Sequence, residues 1–135
     1  MSIMSEFEDY KGRLNAAIAN IMQSTVSDAV RDEIQTQADL IVYSHSTTNE
    51  RRYSLKDPDT YQDHYYQDGG THTLEVEASH TFQGAKWGNY LSTVVEYGWE
   101  NWRQPGPRPY MSTTEKIMQE RVGGIVAAEL EARGF

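Results

Sequence analysis

Apolar side chains recur at helical spacing through the whole first third of the chain. Phe7, Tyr10, Leu14, Ala17 or Ile18, Ile21, Val26, Val30, Ile34, Ala38 and Ile41 follow one another at steps of three, four and occasionally five. That is the periodicity of an amphipathic helix with one apolar stripe. Ser5 with Glu8 has the spacing of a capping box at its start, and Thr25 with Asp28 repeats the signal, so a joint between two helices is expected near Ser24 to Ser27. An unbroken helix from Ser5 to about Tyr43 would be roughly 60 Å long. A compact chain of 135 residues has a radius of gyration of only about 14 Å. Either the rod bends, or part of it overhangs its own body and packs on a neighbour.

After Tyr43 the pattern turns polar and aromatic. Lys56-Asp57-Pro58-Asp59 is a turn, since proline presets the backbone and Asp accepts local hydrogen bonds. Tyr61 to Gln67, the turn Asp68-Gly69-Gly70, and Thr71 to Ser79 then read as a hairpin. Leu74, Val76 and Ala78 alternate with Thr73, Glu75, Glu77 and Ser79, which gives it one wet face. Gly84 to Asn89 reads as loop and Leu91 to Tyr97 as a further strand ended by Gly98. From Trp99 to Pro109 the prolines forbid helix and central strand. Ser112 with Glu115 suggests a capping box for a closing helix that carries Ile117, Val122, Ile125, Val126 and Leu130 and ends at Gly134.

The expected architecture is therefore one α+β domain over residues 1–135. It has a long N-terminal helix, an antiparallel sheet of about three to four strands, and a C-terminal helix packed on that sheet. The chain has no cysteine, which removes disulfide frameworks, thiolate metal sites and cysteine nucleophiles. Met1 to Tyr10 carries Glu6, Glu8 and Asp9, not the basic region and apolar run of a secretory signal. No stretch approaches the roughly 20 apolar residues of a membrane span, so no membrane partner is expected. With 20 acidic and 12 basic residues the net charge is −8, which disfavours a grip on phosphates. An acidic surface still suits DNA that must slide past without sticking.

Catalytic and metal chemistry find little support. His45, His64, His72 and His80 form no i, i+4 helical pair and no HExxH arrangement. Asp63, His64, Glu75 and Glu77 could be assembled into a hydrolytic group, yet Glu75 and Glu77 fall on the wet face of the strand, without the burial that tunes a catalytic acid. No phosphate-binding loop, dinucleotide fingerprint or nucleophile elbow occurs. Gly123-Gly124 reads as a close helix contact or a weak point. The expectation is a non-enzyme with no cofactor, no metal and no catalytic residues. The competing reading is a small metal- or ligand-binding enzyme domain built on His64, His72 and nearby carboxylates.

Tyr53, Tyr61, Tyr65, Tyr66, Tyr90, Tyr97 and Tyr110 crowd the β-rich half with Trp87, Trp99 and Trp102. Without a basic groove, core and strand pairing account for about half of them. The loop tryptophans, with Arg103 and Arg108, have the composition of a protein interface.

Val94-Val95-Glu96-Tyr97-Gly98, followed by a loop and then Pro107-Arg108-Pro109-Tyr110-Met111 opening a helix, resembles the small tail-component family of tailed bacteriophages. Its members are tail-completion and head-to-tail joining proteins. The resemblance is strongest over Tyr90 to Phe135, and the upstream order of long helix and hairpin agrees with it. Thr48 is followed by Asn49 and Glu50 where members often carry Thr-Gly. The resemblance implies a virion subunit at the head–tail junction, made in the host bacterial cytoplasm, with tail-completion, head-closure adaptor and tail-terminator roles all open. It implies a cyclic homo-oligomer, a hexamer or dodecamer, that contacts connector or adaptor and tail-tube or tail-terminator proteins. Double-stranded DNA would pass through without specific binding. The interface residues it suggests are Glu96, Tyr97, Gly98, Trp99, Trp102, Arg103, Arg108, Pro109 and Tyr110. Gly98 lets the chain leave the strand, and Pro105, Pro107 and Pro109 stiffen the loop so that it docks at little ordering cost.

Overall fold

The computed structural model describes residues 3–42, 55–78 and 109–135. The rod is helical from end to end: α1 (Ile3–Ile21), a π turn (Met22–Val26), α2 (Ser27–Gln37) and a second π turn (Ala38–Val42). The joint expected near Ser24 to Ser27 is thus a widened turn and not a break, since the residues flanking the turn, Ile21 and Ser27, keep right-handed helical dihedrals. The five-residue step from Ile21 to Val26 would swing the stripe by about 140° in a pure α-helix. The wider π turn absorbs the surplus residue, and both side chains stay buried, at 0% and 1% exposure. Gln23 and Ser24 add side-chain donors to the carbonyls of Ala19 and Asn20, at 3.1 and 2.6 Å, a local pattern that accompanies bent helices.

Asp57 accepts from the Asp59 amide at 2.9 Å and starts a short 3-10 turn, Pro58–Thr60, which delivers the chain into β1 (Tyr61–Asp68). β1 pairs antiparallel with β2 (Thr71–Ala78), from Tyr61 opposite Ala78 to Asp68 opposite Thr71. Two residues are left for the turn, and Gly69 takes φ +58°, the left-handed conformation that tight hairpins require and glycine tolerates. The alternation is as the sequence predicts. Leu74, Val76 and Ala78 face the core opposite Tyr65, Asp63 and Tyr61, while Glu75 and Glu77 face solvent. The described residues hold two strands, fewer than the three to four expected; the further strand over Leu91 to Tyr97 lies outside them.

The last element is α3 (Tyr110–Ala132). It starts two residues before the expected capping box, so Ser112 lies inside the first turn. Pro109 opens the helix, and its carbonyl accepts from the Thr113 amide at 3.2 Å and the Thr113 hydroxyl at 2.6 Å. A proline suits that place because it has no N–H to lose. The helix stops where expected. Gly134 takes φ +87°, with Gly134 N–H donating to Glu131 O at 3.0 Å and Phe135 N–H to Leu130 O at 2.9 Å, the paired bonds of a Schellman motif.

α3 runs antiparallel to the rod, and the rod is its chief packing partner, where the sequence places it on the sheet. Its start, Tyr110, is buried with Ile34, Ala38, Val42, Leu55, Tyr61 and Ala78. Its later turns, Val122, Ile125, Val126 and Leu130, pack on Ile21, Met22 and Val26, which also meet Tyr65 and Leu74 from the hairpin. At the far end Arg133 donates to Asn20 at 2.8 Å and the Phe135 ring lies 6.0 Å from that of Tyr10. Hairpin and α3 thus flank one seam of the rod from two sides. A Cβ on Gly123 or Gly124 would meet nothing within 4 Å among the described residues, so within them the doublet weakens the helix without a close contact to explain it. No described helix is long and apolar enough to cross a membrane.

Candidate functional site

The rod's apolar stripe is buried or half-buried from Ile21 to Val42 and bare at its beginning. Leu14, Ala17 and Ile18 are half-buried. Ahead of them Ile3, Met4, Phe7 and Tyr10 are 83%, 68%, 57% and 44% exposed. The reason is geometric: α3 stops at Ala132, and the turn that follows it brings Phe135 beside Tyr10, so the first two turns of α1 run past the helix that covers the rest of the stripe. Four large apolar side chains on one projecting helix end form the kind of contiguous patch that marks an interaction surface.

A second concavity lies between β2 and α3. It encloses about 840 Å³, with Val30, Val76, Met111 and Met118 on its floor and Glu75 and Glu115 on its rim. Ala78 and Met111 are among its lining residues. The connecting residues 79–108 lie outside the described residues, so this groove has no assigned role.

Two polar junctions fasten the hairpin to the rod. Asp63 sits on the core-facing side of β1, where a carboxylate needs partners to offset its desolvation. Arg31 Nη1 donates to Asp63 Oδ1 at 2.7 Å and to Ser27 Oγ at 2.6 Å, and the Ser27 hydroxyl donates to Asp63 Oδ2 at 2.6 Å. Arg31 Nη2 and Nε reach the carbonyls of Tyr61 and Pro58 at 3.0 and 3.3 Å. One guanidinium thereby joins α2, the 3-10 turn and β1. Near the hairpin tip His72 lies 2.7 Å from the Tyr65 hydroxyl through Nδ1 and 3.0 Å from Asn15 Oδ1 through Nε2. An amide oxygen only accepts, so His72 donates from Nε2 and the Tyr65 hydroxyl donates to Nδ1 in the neutral ring.

These contacts bear on the enzyme reading. His64 lies on the wet face, with Nε2 2.7 Å from Glu77 Oε1. His72 lies on the other face, half-buried against α1. Strand alternation therefore keeps the two imidazoles from converging on one ion. Among the described residues no group of three or more His, Cys, Asp or Glu side chains could hold a metal. His45 and His80 lie outside them.

Of the interface residues expected from sequence, Glu96, Tyr97, Gly98, Trp99, Trp102, Arg103 and Arg108 lie outside the described residues. Pro109 is exposed at the start of α3. Tyr110 is 0% exposed, and its hydroxyl lies 3.0 Å from that of Tyr61, which donates to the Leu55 carbonyl at 2.7 Å. The structure thus makes Tyr110 a core residue of its own chain. The motif that opens a helix at Tyr110 does so, but its tyrosine points inward. The Arg31–Ser27–Asp63 junction was missed by sequence reasoning. Its one signal is the parity of Asp63, which shares the inward phase of Tyr61 and Tyr65.

No family model, curated protein or solved structure matches the chain.

Proposed function

We propose that this chain is a structural subunit that works by assembling, as a ring-forming tail-completion or head–tail joining protein of a tailed bacteriophage. The bare apolar end of α1 supports the assembly half of this reading: Ile3, Met4, Phe7 and Tyr10 are exposed at one helix end, and a patch of that kind suits contact with another polypeptide. The phage half rests on the resemblance of Val94-Val95-Glu96-Tyr97-Gly98 and Pro109-Tyr110-Met111 to the tail-component family. The net charge of −8 suits a channel that lets DNA pass by denying it a resting place. In this account α1 and the sheet supply contacts between copies, and the segment from Glu96 to Arg108 docks an adjoining ring. Closed rings arise when head-to-tail contacts, here those of the sheet, return on themselves.

Native mass spectrometry and electron microscopy, on the protein alone and mixed with connector and tail-tube proteins, test the proposal. The expected result is a closed ring, alone or on one of those partners. Absence of stoichiometric association with either class of partner would contradict it.

A further inference from the structure

From the bare end of α1 we infer that it pairs with α1 of a second copy, antiparallel about a two-fold axis. This goes beyond the ring reading and does not depend on it, because a two-fold contact joins copies in pairs or two rings back to back.

Ile3, Phe7, Tyr10 and Leu14 are spaced four, three and four residues apart, the a/d alternation that lets two helices interlock knobs into holes. A stripe of this period fits another helix better than a sheet or loop. Scaled to whole side chains of roughly 150–250 Å², the exposed fractions of Ile3, Met4, Phe7 and Tyr10 amount to on the order of 500 Å². Two copies in mutual contact would cover about twice that, near the ~1,000 Å² that a specific interface needs. One copy's stripe against a polar surface would fall short.

Charge selects the direction and the register. Antiparallel pairing sets Ile3 over Leu14 of the second copy and Phe7 over Tyr10 of the second copy. Positions just before the a layer then face their own kind across the seam, so Glu6 of each copy meets Arg13 of the other. Arg13 already lies at the edge of the stripe, over the Tyr10 ring at 5.8 Å from its centroid. A register one heptad shorter would oppose Glu6 to Glu6 and lose half the layers. Glu8 and Asp9 lie on the opposite side of the helix, away from the seam.

Sedimentation equilibrium of the full chain at about 100 μM, above the micromolar dissociation constants of weak interfaces, reads the pairing. Phe7→Glu is expected to halve the particle mass with unchanged circular dichroism, because Phe7 is 57% exposed and supports no described core. Glu6→Arg alone and Arg13→Glu alone place like charges together and are each expected to halve the mass. The double variant Glu6→Arg/Arg13→Glu is expected to restore it. A mass unchanged by Phe7→Glu overturns the inference. So does rescue of Glu6→Arg by Lys11→Glu in place of Arg13→Glu, which is the signature of parallel helices.

Discussion

Tyr110→Ala is expected to cost about 3–5 kcal/mol, the range for deleting a fully buried aromatic side chain, and to leave a large part of the chain unfolded at 37 °C. Tyr110 is 0% exposed and sits where the beginning of α3, the end of the rod and the start of β1 meet. Its loss opens a cavity among Ile34, Ala38, Val42 and Leu55, and it strips the Tyr61 hydroxyl of one of its partners. Tyr110→Phe keeps the ring and is expected to cost about 1 kcal/mol, the net worth of one hydrogen bond. Urea unfolding of both variants checks the pair of values. Near-equal, small losses for the two would mean that the ring is not packed as described, and would return Tyr110 to the interface role that the sequence suggests.

Arg31→Ala comes second, at about 2–4 kcal/mol. The side chain is 17% exposed and its partner Asp63 26%, so removing the guanidinium strands a carboxylate on the inner face of the hairpin. Lysine should not rescue it, since one ammonium cannot serve a carboxylate, a hydroxyl and two carbonyls spread over three segments. The informative control is Arg31→Met with Asp63→Leu, where both charges give way to apolar groups. That pair is expected to be much less damaging than Arg31→Ala alone. Chemical denaturation of the two single variants and the double one gives the coupling energy directly. Additive losses would show that the two side chains do not act together.

Much of this architecture was legible because it rests on local rules. The stripe of the rod, the alternation of Leu74, Val76 and Ala78, the glycine turn at Gly69 and the stop at Gly134 each follow from a period or a backbone conformation that few residues satisfy. What was misread depended on tertiary partners. Thr25 and Asp28 look like a new helix start, yet burial of Ile21 and Val26 on the same seam holds the chain helical through a π turn. Ser112 looks like a cap, but Pro109 supplies an earlier start. Tyr110 sits in an aromatic, proline-rich segment that resembles an interface, and only the approach of β1 and the rod turns it into core. Arg31 could not be singled out, because its partners in the 3-10 turn and β1 lie 27 to 32 residues away and no spacing rule links them. In the candidate surface, length alone left a bent rod and an overhang both open; the exposure of Ile3, Met4, Phe7 and Tyr10 favours the overhang, and its limit at Tyr10 depends on where α3 ends.

The central claim is that the first turns of α1 are bare because other polypeptide covers them. Hydrogen exchange of the amides from Ile3 to Arg13, followed as concentration rises from about 1 to about 100 μM, tests it most directly. Unpaired helix ends fray and exchange near the open-chain rate. The account predicts that exchange over this segment slows at least about tenfold with concentration, while the amides of Ile34 to Ala38 stay equally protected throughout. Fast exchange from Ile3 to Arg13 that is independent of concentration would contradict it.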